Sequence, residues 1–169
     1  HLAGVGPVKE IEEIIKKIYQ CNYSMTFSSA TNALSAIALS LNLHEGDEVL
    51  VSPYNWGSSI AGLLELTPAK LVFAEANHGG NINISTINEL ITSNTKAIWA
   101  CDWKGKPHGM FALRKICDRH HLLYISDASQ SFGVSYRGRM ASSLADMLVI
   151  SFSAGKRIEP AAEAHATGT

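Results

Sequence analysis

The chain has 169 residues, of which 46% are hydrophobic and 17% charged, and its formal net charge is −1. This length allows one domain with a substantial core, and the balanced charge does not indicate a nucleic acid or an acidic membrane as a partner. The sequence contains no apolar run of about 18 residues and no basic start followed by an apolar segment, so we expect neither a membrane span nor a signal peptide, and a cytoplasmic location. Three scattered cysteines predict buried thiols and no metal site: Cys21, Cys101 and Cys117.

The N-terminal part of the chain predicts two helices separated by a strand. Residues 8–20 place apolar side chains on one helical face, and residues 23–27 are interpreted as a strand. Ser28 to Thr31 then open a nearly wholly apolar helix over residues 31–41. A helix N-terminus presents free N–H groups that favour phosphate, although on the local pattern alone N-capping by Ser or Thr is the better explanation.

The middle of the chain alternates strands and helices. A strand over residues 48–52 is followed by Trp56 and a helix near 58–66; such a Trp can stack on a flat ring but is more often part of a core. The alternation predicts a three-layer α/β fold with a mostly parallel sheet and helices on both faces. The remaining predicted elements are a strand at 70–74, a short helix at 85–92, a strand at 96–101 and a helix at 110–121.

Two apolar runs near the C-terminus predict buried strands that end in reactive side chains. Residues 122–125 lead to Asp127 and Gln130, and residues 147–152 lead to Lys156. If the strands are parallel neighbours, the acid and the lysine meet in one crevice, because ligands bind at the carboxyl ends of such strands. A lysine amine and a carboxylate are what a pyridoxal phosphate enzyme needs. Taken singly, each residue has a better ordinary explanation, since aspartates in turns and solvated lysines are common.

Six segments occur in a specific order along the chain. They are FSSATNAL (27–34), HEGDEVLVSPYNW (44–56), NTKAIWACDWKGKP (94–107), LLYISDASQSFG (122–133), YRGRMASSLADMLVISF (136–152) and SFSAGK (151–156). Together they resemble the DegT/DnrJ/EryC1/StrS family of sugar aminotransferases, which are fold-type I pyridoxal phosphate enzymes. The sequence departs from the family pattern at Ala30 and Ser143, where glycine is more usual.

This resemblance implies pyridoxal 5'-phosphate as the cofactor and a role for each matching residue. Lys156 would bond to the cofactor and carry the proton, Asp127 would pair with the pyridine nitrogen, and Gln130 would hydrogen-bond the phenolic oxygen. Related sugar dehydratases carry histidine in place of the lysine, so Lys156 favours amino transfer over dehydration. The remaining implied contacts are stacking on the ring by Trp56 and phosphate binding by Ala30, Thr31 and Ser151.

The resemblance also implies a substrate class and an assembly. We expect an aminotransferase that moves an amino group from glutamate or glutamine to a nucleotide-linked keto-sugar, acting as a homodimer. Residues 1–169 would form an incomplete large domain that lacks the small C-terminal domain, and we expect little or no transaminase activity from the chain alone.

Alternatives to this function remain open at the level of sequence. The chain could be a fragment, half of a split enzyme or a degenerate homologue, and in the alternative hypothesis it is non-catalytic, keeps the fold and needs a partner chain. Another fold-type I chemistry, such as desulfuration or aldol cleavage, would share Asp127 and Lys156. The segments at 27–34 and 151–156 argue against that third interpretation.

Overall fold

The computed structural model describes residues 6–153 of the chain, which form a five-stranded sheet and a separate two-stranded hairpin. In chain order the elements are α1 (Gly6–Tyr19), α2 (Ala30–Ser40), β1 (Glu48–Val51), α3 (Gly57–Leu66), β2 (Lys70–Phe73), α4 (Ile87–Leu90), β3 (Thr95–Cys101), a 3-10 turn (Trp103–Gly105), α5 (Met110–His120), β4 (Leu123–Asp127), β5 (Ser135–Tyr136), β6 (Arg139–Met140) and β7 (Met147–Val149). The large sheet has the order β2-β1-β3-β4-β7, and every pair in it is parallel. Within the described residues no helix is both long and apolar enough to cross a membrane.

The sheet is covered on both faces because its strands alternate between two cores. On β1, Val49 and Val51 belong to one core and Leu50 to the other. Successive side chains of a strand point to opposite faces, so this division follows directly from the sequence period. Helices α2 and α3 supply the first core, and α4 and α5 supply the second. The predicted three-layer α/β fold is confirmed.

The two C-terminal apolar runs are parallel neighbours in the sheet. Strand β4 pairs with β7, with Asp127 opposite Val149. The carboxyl ends of both strands therefore lie at one edge, as the ligand-crevice hypothesis requires. Strand β7 ends at Val149, earlier than the predicted 152, and Lys156 lies outside the described residues.

The predicted strand at residues 23–27 is wrong. The segment pairs with no strand among residues 6–153, and a groove of about 810 Å³ separates it from residues 143–153. Its backbone is held instead by helix α1, since the amide and hydroxyl of Thr26 donate to Glu12 Oε1 at 2.8 and 3.0 Å. Alternating side chains predict a strand only where a neighbouring strand supplies N–H and C=O partners, and none of the described residues does so here.

The predicted helix at 85–92 is shorter than expected. Asn83 forms a local turn that takes up the first residues: its side-chain oxygen accepts from the Ser85 amide at 3.2 Å, and its carbonyl accepts from the Thr86 amide at 3.3 Å. Asn side chains compete for backbone donors in this way, so only α4 remains helical.

Candidate cofactor-binding site

The turn that follows β4 carries two of the predicted site residues. Asp127 is 5% exposed, and its Oδ1 accepts a hydrogen bond from the Ser129 amide at 3.0 Å. No donor among the described residues contacts its second oxygen, Oδ2. The Ala128 amide donates to the carbonyl of Val149 at 2.8 Å, which ties the turn to β7. One carboxylate oxygen thus remains available at the carboxyl edge of the sheet.

Gln130 lies on the same turn and is oriented by the 3-10 turn beside it. The backbone amide of Lys104 donates to Gln130 Oε1 at 3.0 Å. This contact occupies the acceptor end of the side-chain amide and leaves Nε2 as the free donor. Gly105 allows the close approach: its φ is +70°, and a Cβ there would lie 2.7 Å from the Gln130 carbonyl oxygen.

The N-terminus of α2 is capped by its own sequence. Ser29 Oγ accepts from the Asn32 amide at 3.1 Å, which confirms the capping explanation for this turn. The amides of Ala30 and Thr31 come before the first intrahelical hydrogen bond, and neither has an acceptor within residues 6–153. Capping and anion binding are therefore compatible here, because the cap uses a later amide and leaves these two free.

Ser151 and the start of α2 line the same groove. Ala30, Ser28 and Ser29 lie on one wall, and Ser151 lies on the other, just beyond β7. The Ser151 side chain is buried, and its hydroxyl is 3.1 Å from that of Ser153. The structure thus brings two of the three predicted phosphate ligands, Ala30 and Ser151, to one groove, whereas Thr31 does not line it.

Trp56 is not a core residue. It is 70% exposed and directly precedes the first residue of α3, five residues after the end of β1. Its neighbour Tyr54 stacks on Trp103 with ring centroids 5.7 Å apart and an interplanar angle of 28°. Trp56 forms no hydrogen bond or ring contact with Asp127 or Gln130, and the structure places it at the same edge of the sheet without joining it to them.

A buried polar network next to the turn was missed at the sequence level. Asp102 follows β3 directly and is fully buried, with His108 and Tyr124 beside it. The available signal was an acid at a strand end, followed six residues later by a histidine. The sequence pattern indicates only a loop over residues 102–107, and it gives His108 no role. We call this set the Asp102 network: Asp102, His108, Tyr124, Ser126, Ser131 and Ser142.

The electrostatics of this network favour an ionised Asp102. Burial by itself would raise the pKa of the carboxyl, but hydrogen bonds from His108 and Ser131 and the attraction of His108 outweigh it, and the pKa lies below its ordinary value. Burial raises the pKa of Tyr124 well above its usual value, with the nearby Asp102 charge adding to the effect. The network therefore holds a carboxylate beside a neutral phenol.

The edge of the sheet has polar atoms that the protein itself does not satisfy. Ser129 Oγ, Asn55 Oδ1 and Ser59 Oγ are buried without a hydrogen-bond partner within the described residues. Buried polar groups are normally paired, so such a set, of which Ser129 belongs to the same turn as Asp127, fits a polar ligand. Together with the two free amides of α2, these residues suit a ring nitrogen and a phosphate. Across residues 6–153, no group of three or more His, Cys, Asp or Glu side chains could hold a metal ion.

Comparison with known proteins identifies the family. The profile of the DegT/DnrJ/EryC1/StrS aminotransferase family matches residues 5–166. The chain belongs to this family. Its members depend on pyridoxal phosphate, so the predicted cofactor is confirmed at the level of the family.

Three relatives illustrate the similarity. The UDP-4-amino-4,6-dideoxy-N-acetyl-beta-L-altrosamine transaminase of Helicobacter pylori is 31% identical over 154 residues, which are 89% of this chain and 40% of that protein. The structure of Helicobacter pylori PseC, an aminotransferase of pseudaminic acid biosynthesis, aligns with a TM-score of 0.84 and 29% identity, covering 94% of this chain and 43% of that one. NtdA of Bacillus subtilis, solved with bound cofactor PMP, aligns with a TM-score of 0.81 and 27% identity, covering 93% and 35%.

The alignments cover most of this chain but less than half of each relative. The chain spans about 40% of the length of the curated relatives it matches. Family and fold are therefore established for this stretch, while activity and substrates belong to longer proteins.

Proposed function

We propose that this chain is the cofactor-binding part of a pyridoxal phosphate-dependent aminotransferase that acts on a nucleotide-linked keto-sugar, with glutamate or glutamine as the amino donor. Family membership supports amino transfer, and the UDP-linked sugar in the name of the Helicobacter pylori relative supports the acceptor class. The observation that supports the function most strongly is the buried carboxylate of Asp127, which has one oxygen held by Ser129 and the other free.

Each predicted residue would contribute a separate interaction. The bound cofactor supplies an electron-accepting ring, and Asp127 would keep its nitrogen protonated through the free oxygen. Gln130 would donate from Nε2, because its oxygen is already occupied by the Lys104 amide. The Ala30 and Thr31 amides and Ser151 would bind the phosphate, and Trp56 would cover the ring. Lys156 would bond to the cofactor and carry the proton between substrate and product positions.

The lysine assignment is tested by mapping where the cofactor attaches. The purified chain is mixed with pyridoxal phosphate, its visible spectrum is recorded, and borohydride reduction is followed by peptide mass analysis. We expect one reducible chromophore on Lys156, which Lys156→Ala abolishes, since a positioned amine reacts in preference to solvated ones.

The matched control is Lys106→Ala. Lys106 is exposed in the loop after β3, at the same edge of the sheet, and its backbone carbonyl accepts from Asn81 independently of the side chain. This variant should keep the parent spectrum. Adducts spread over several surface lysines, or a chromophore that survives in Lys156→Ala, would contradict the assignment.

A second candidate function is a non-catalytic or split-enzyme subunit that keeps the fold and pairs with another chain. The groove between residues 23–27 and 143–153 favours it, because β7 has a strand partner on only one side within the described residues. The molar mass of the purified chain, alone and with candidate partner chains, tests this alternative. A stable homodimer that performs amino transfer by itself would exclude it.

A further inference from the structure

The carboxylate of Asp102 is saturated with hydrogen bonds. Its Oδ1 accepts from the amide and the Nδ1 of His108 at 2.9 and 2.6 Å. Its Oδ2 accepts from the hydroxyls of Ser131 and Ser142 at 2.5 and 2.7 Å. An ionised carboxylate offers about four acceptor positions, so none is left for a ligand. Asp102 is thus built to hold its neighbours and has no free group with which to react.

One of these bonds reaches the turn that carries Asp127 and Gln130. Ser131 closes that turn, since its amide donates to the Ala128 carbonyl at 3.0 Å and its hydroxyl donates to Asp102. The Asp102 amide also donates to the carbonyl of Asp127 at 3.1 Å. Asp102 therefore contacts both ends of the turn: its backbone amide bonds to Asp127 at the start, and its carboxylate bonds to Ser131 at the end.

The position of Asp102 is itself fixed by His108 and Tyr124. His108 bonds to Asp102 through Nδ1 and to the hydroxyl of Tyr124 through Nε2. Tyr124 belongs to β4, the strand that ends in Asp127. His108 and Tyr124 are at most 1% exposed, so water does not compete for these hydrogen bonds. The contacts form a closed loop from β4 through His108 and Asp102 back to the end of β4.

We propose that Asp102 is a positioning residue for the cofactor turn: anchored by His108, it sets the place of Asp127 and Gln130 through Ser131. This inference rests on the proposed function, because it assigns the turn to cofactor binding. Side chains that meet a reacting group must be held within a fraction of an ångström by their own supports. The hydroxyl of Ser131 is the support that links the turn to a buried, immobile charge.

The test compares Ser131→Ala with Ser142→Ala. Both serines are buried, both donate to Asp102 Oδ2, and each substitution removes one hydroxyl. They differ in which segment they attach to Asp102. Ser131 closes the cofactor turn, whereas Ser142 lies after the β5–β6 hairpin and otherwise accepts from the hydroxyl of Ser126, inside β4 and before the turn. Two quantities are measured on the chain of 169 residues: hydrogen–deuterium exchange across residues 128–131 without cofactor, and the dissociation constant for pyridoxal phosphate.

We expect Ser131→Ala to raise the hydrogen–deuterium exchange rate of the turn by about 10-fold. The dissociation constant for pyridoxal phosphate should also rise by about 10-fold, as the loss of one buried hydrogen bond predicts. Ser142→Ala should leave both within about twofold of the parent, whatever its effect on melting temperature. Equal effects of the two substitutions, or none from Ser131→Ala, would overturn the proposal. If Ser131→Ala does not fold, Ser131→Cys keeps a weaker donor of similar size, and the same order relative to Ser142→Ala is required.

The two readouts separate this inference from the function on which it rests. If the parent chain binds no pyridoxal phosphate, the proposed function fails. The exchange experiment contains no cofactor, and on its own it decides whether the hydroxyl of Ser131, which donates to Asp102, holds the turn.

Discussion

Two aspartates at neighbouring strand ends have different tasks. Asp102 follows β3 and Asp127 ends β4, and both are buried. Asp102 has both oxygens bound by side chains and a backbone amide of the protein, whereas Asp127 has one oxygen without a donor in the described chain. Sequence alone places both at the carboxyl edge. Only the hydrogen bonds from serines 29 and 40 residues further on distinguish the structural carboxylate from the available one.

The lowered pKa of Asp102 predicts that the free energy of unfolding depends on pH in the acidic range. The pKa of Asp102 in the folded state lies below the ordinary value of 3.8. Its contribution to the free energy of unfolding is therefore complete above the unfolded-state pKa, and it is lost as the pH falls through the folded-state pKa. We expect Asp102→Asn to lower the free energy of unfolding by about 3 kcal/mol at pH 7, since it leaves buried donors unpaired. This deficit should shrink below about pH 4, as urea unfolding at a series of pH values would measure.

Asp118→Asn is the matched control for that experiment. The Asp118 side chain is 65% exposed and pairs with Arg114 four residues earlier on α5. Exposed ion pairs contribute little, so this variant should follow the parent at every pH. A deficit for Asp102→Asn that stays constant down to pH 2 would mean that the carboxyl is not ionised in the folded protein.

At the scale of elements, the packing of α2 on α3 determines where the free amides of Ala30 and Thr31 lie. Gly62 is the closest point of this contact: a Cβ there would lie 2.8 Å from the Cα of Ser35. A single glycine inside a helical pattern predicts only a small loss of helix stability. The sequence contains no sign of the close backbone approach, because that depends on a helix 27 residues away in the chain.

Gly62→Ala should therefore destabilise the protein, whereas Gly57→Ala should not, although both glycines lie on α3. Gly62→Ala forces the helices apart, and we expect a loss of about 1–3 kcal/mol. A Cβ at Gly57 meets nothing within 4 Å, so alanine there should be neutral or stabilise the helix by up to about 1 kcal/mol. Thermal unfolding of both variants checks this. An equal loss in both would show that the interhelical contact is not the cause.

The elements that were predicted well are those whose evidence is local. The five strands of the sheet and four of the five helices follow from hydrophobic period, and their ends differ from prediction by a few residues. The segment at 23–27 failed because its alternation says nothing about a partner strand. The Asp102 network was missed for a related reason: Ser131 and Ser142 are distant from Asp102 in sequence and meet it only when β3 and β4 are paired.

At the scale of the whole molecule, one side of the described fold is apolar and incompletely covered. Helix α1 exposes Ile14 and Ile18 to 51% and 38%, and the adjoining segment exposes Tyr23 and Met25 to 90% and 71%. Exposed apolar residues are ordinary when scattered, but a contiguous group marks an interaction site. Tyr23 and Met25 line the groove along β7, so burial of this side requires chain that lies outside the described residues or in another molecule.

If this side is where the expected homodimer forms, a charge placed in it should weaken association. We expect Met25→Asp to raise the dimer dissociation constant by about 10- to 100-fold, since burial of one such side chain contributes about 1.5–3 kcal/mol and a desolvated carboxylate opposes it further. Leu66→Asp is the control, because Leu66 is 47% exposed at the end of α3, on a different element. Sedimentation equilibrium at several concentrations measures both. A parent chain that stays monomeric throughout would refute the dimer, and equal weakening by the two substitutions would locate its interface elsewhere.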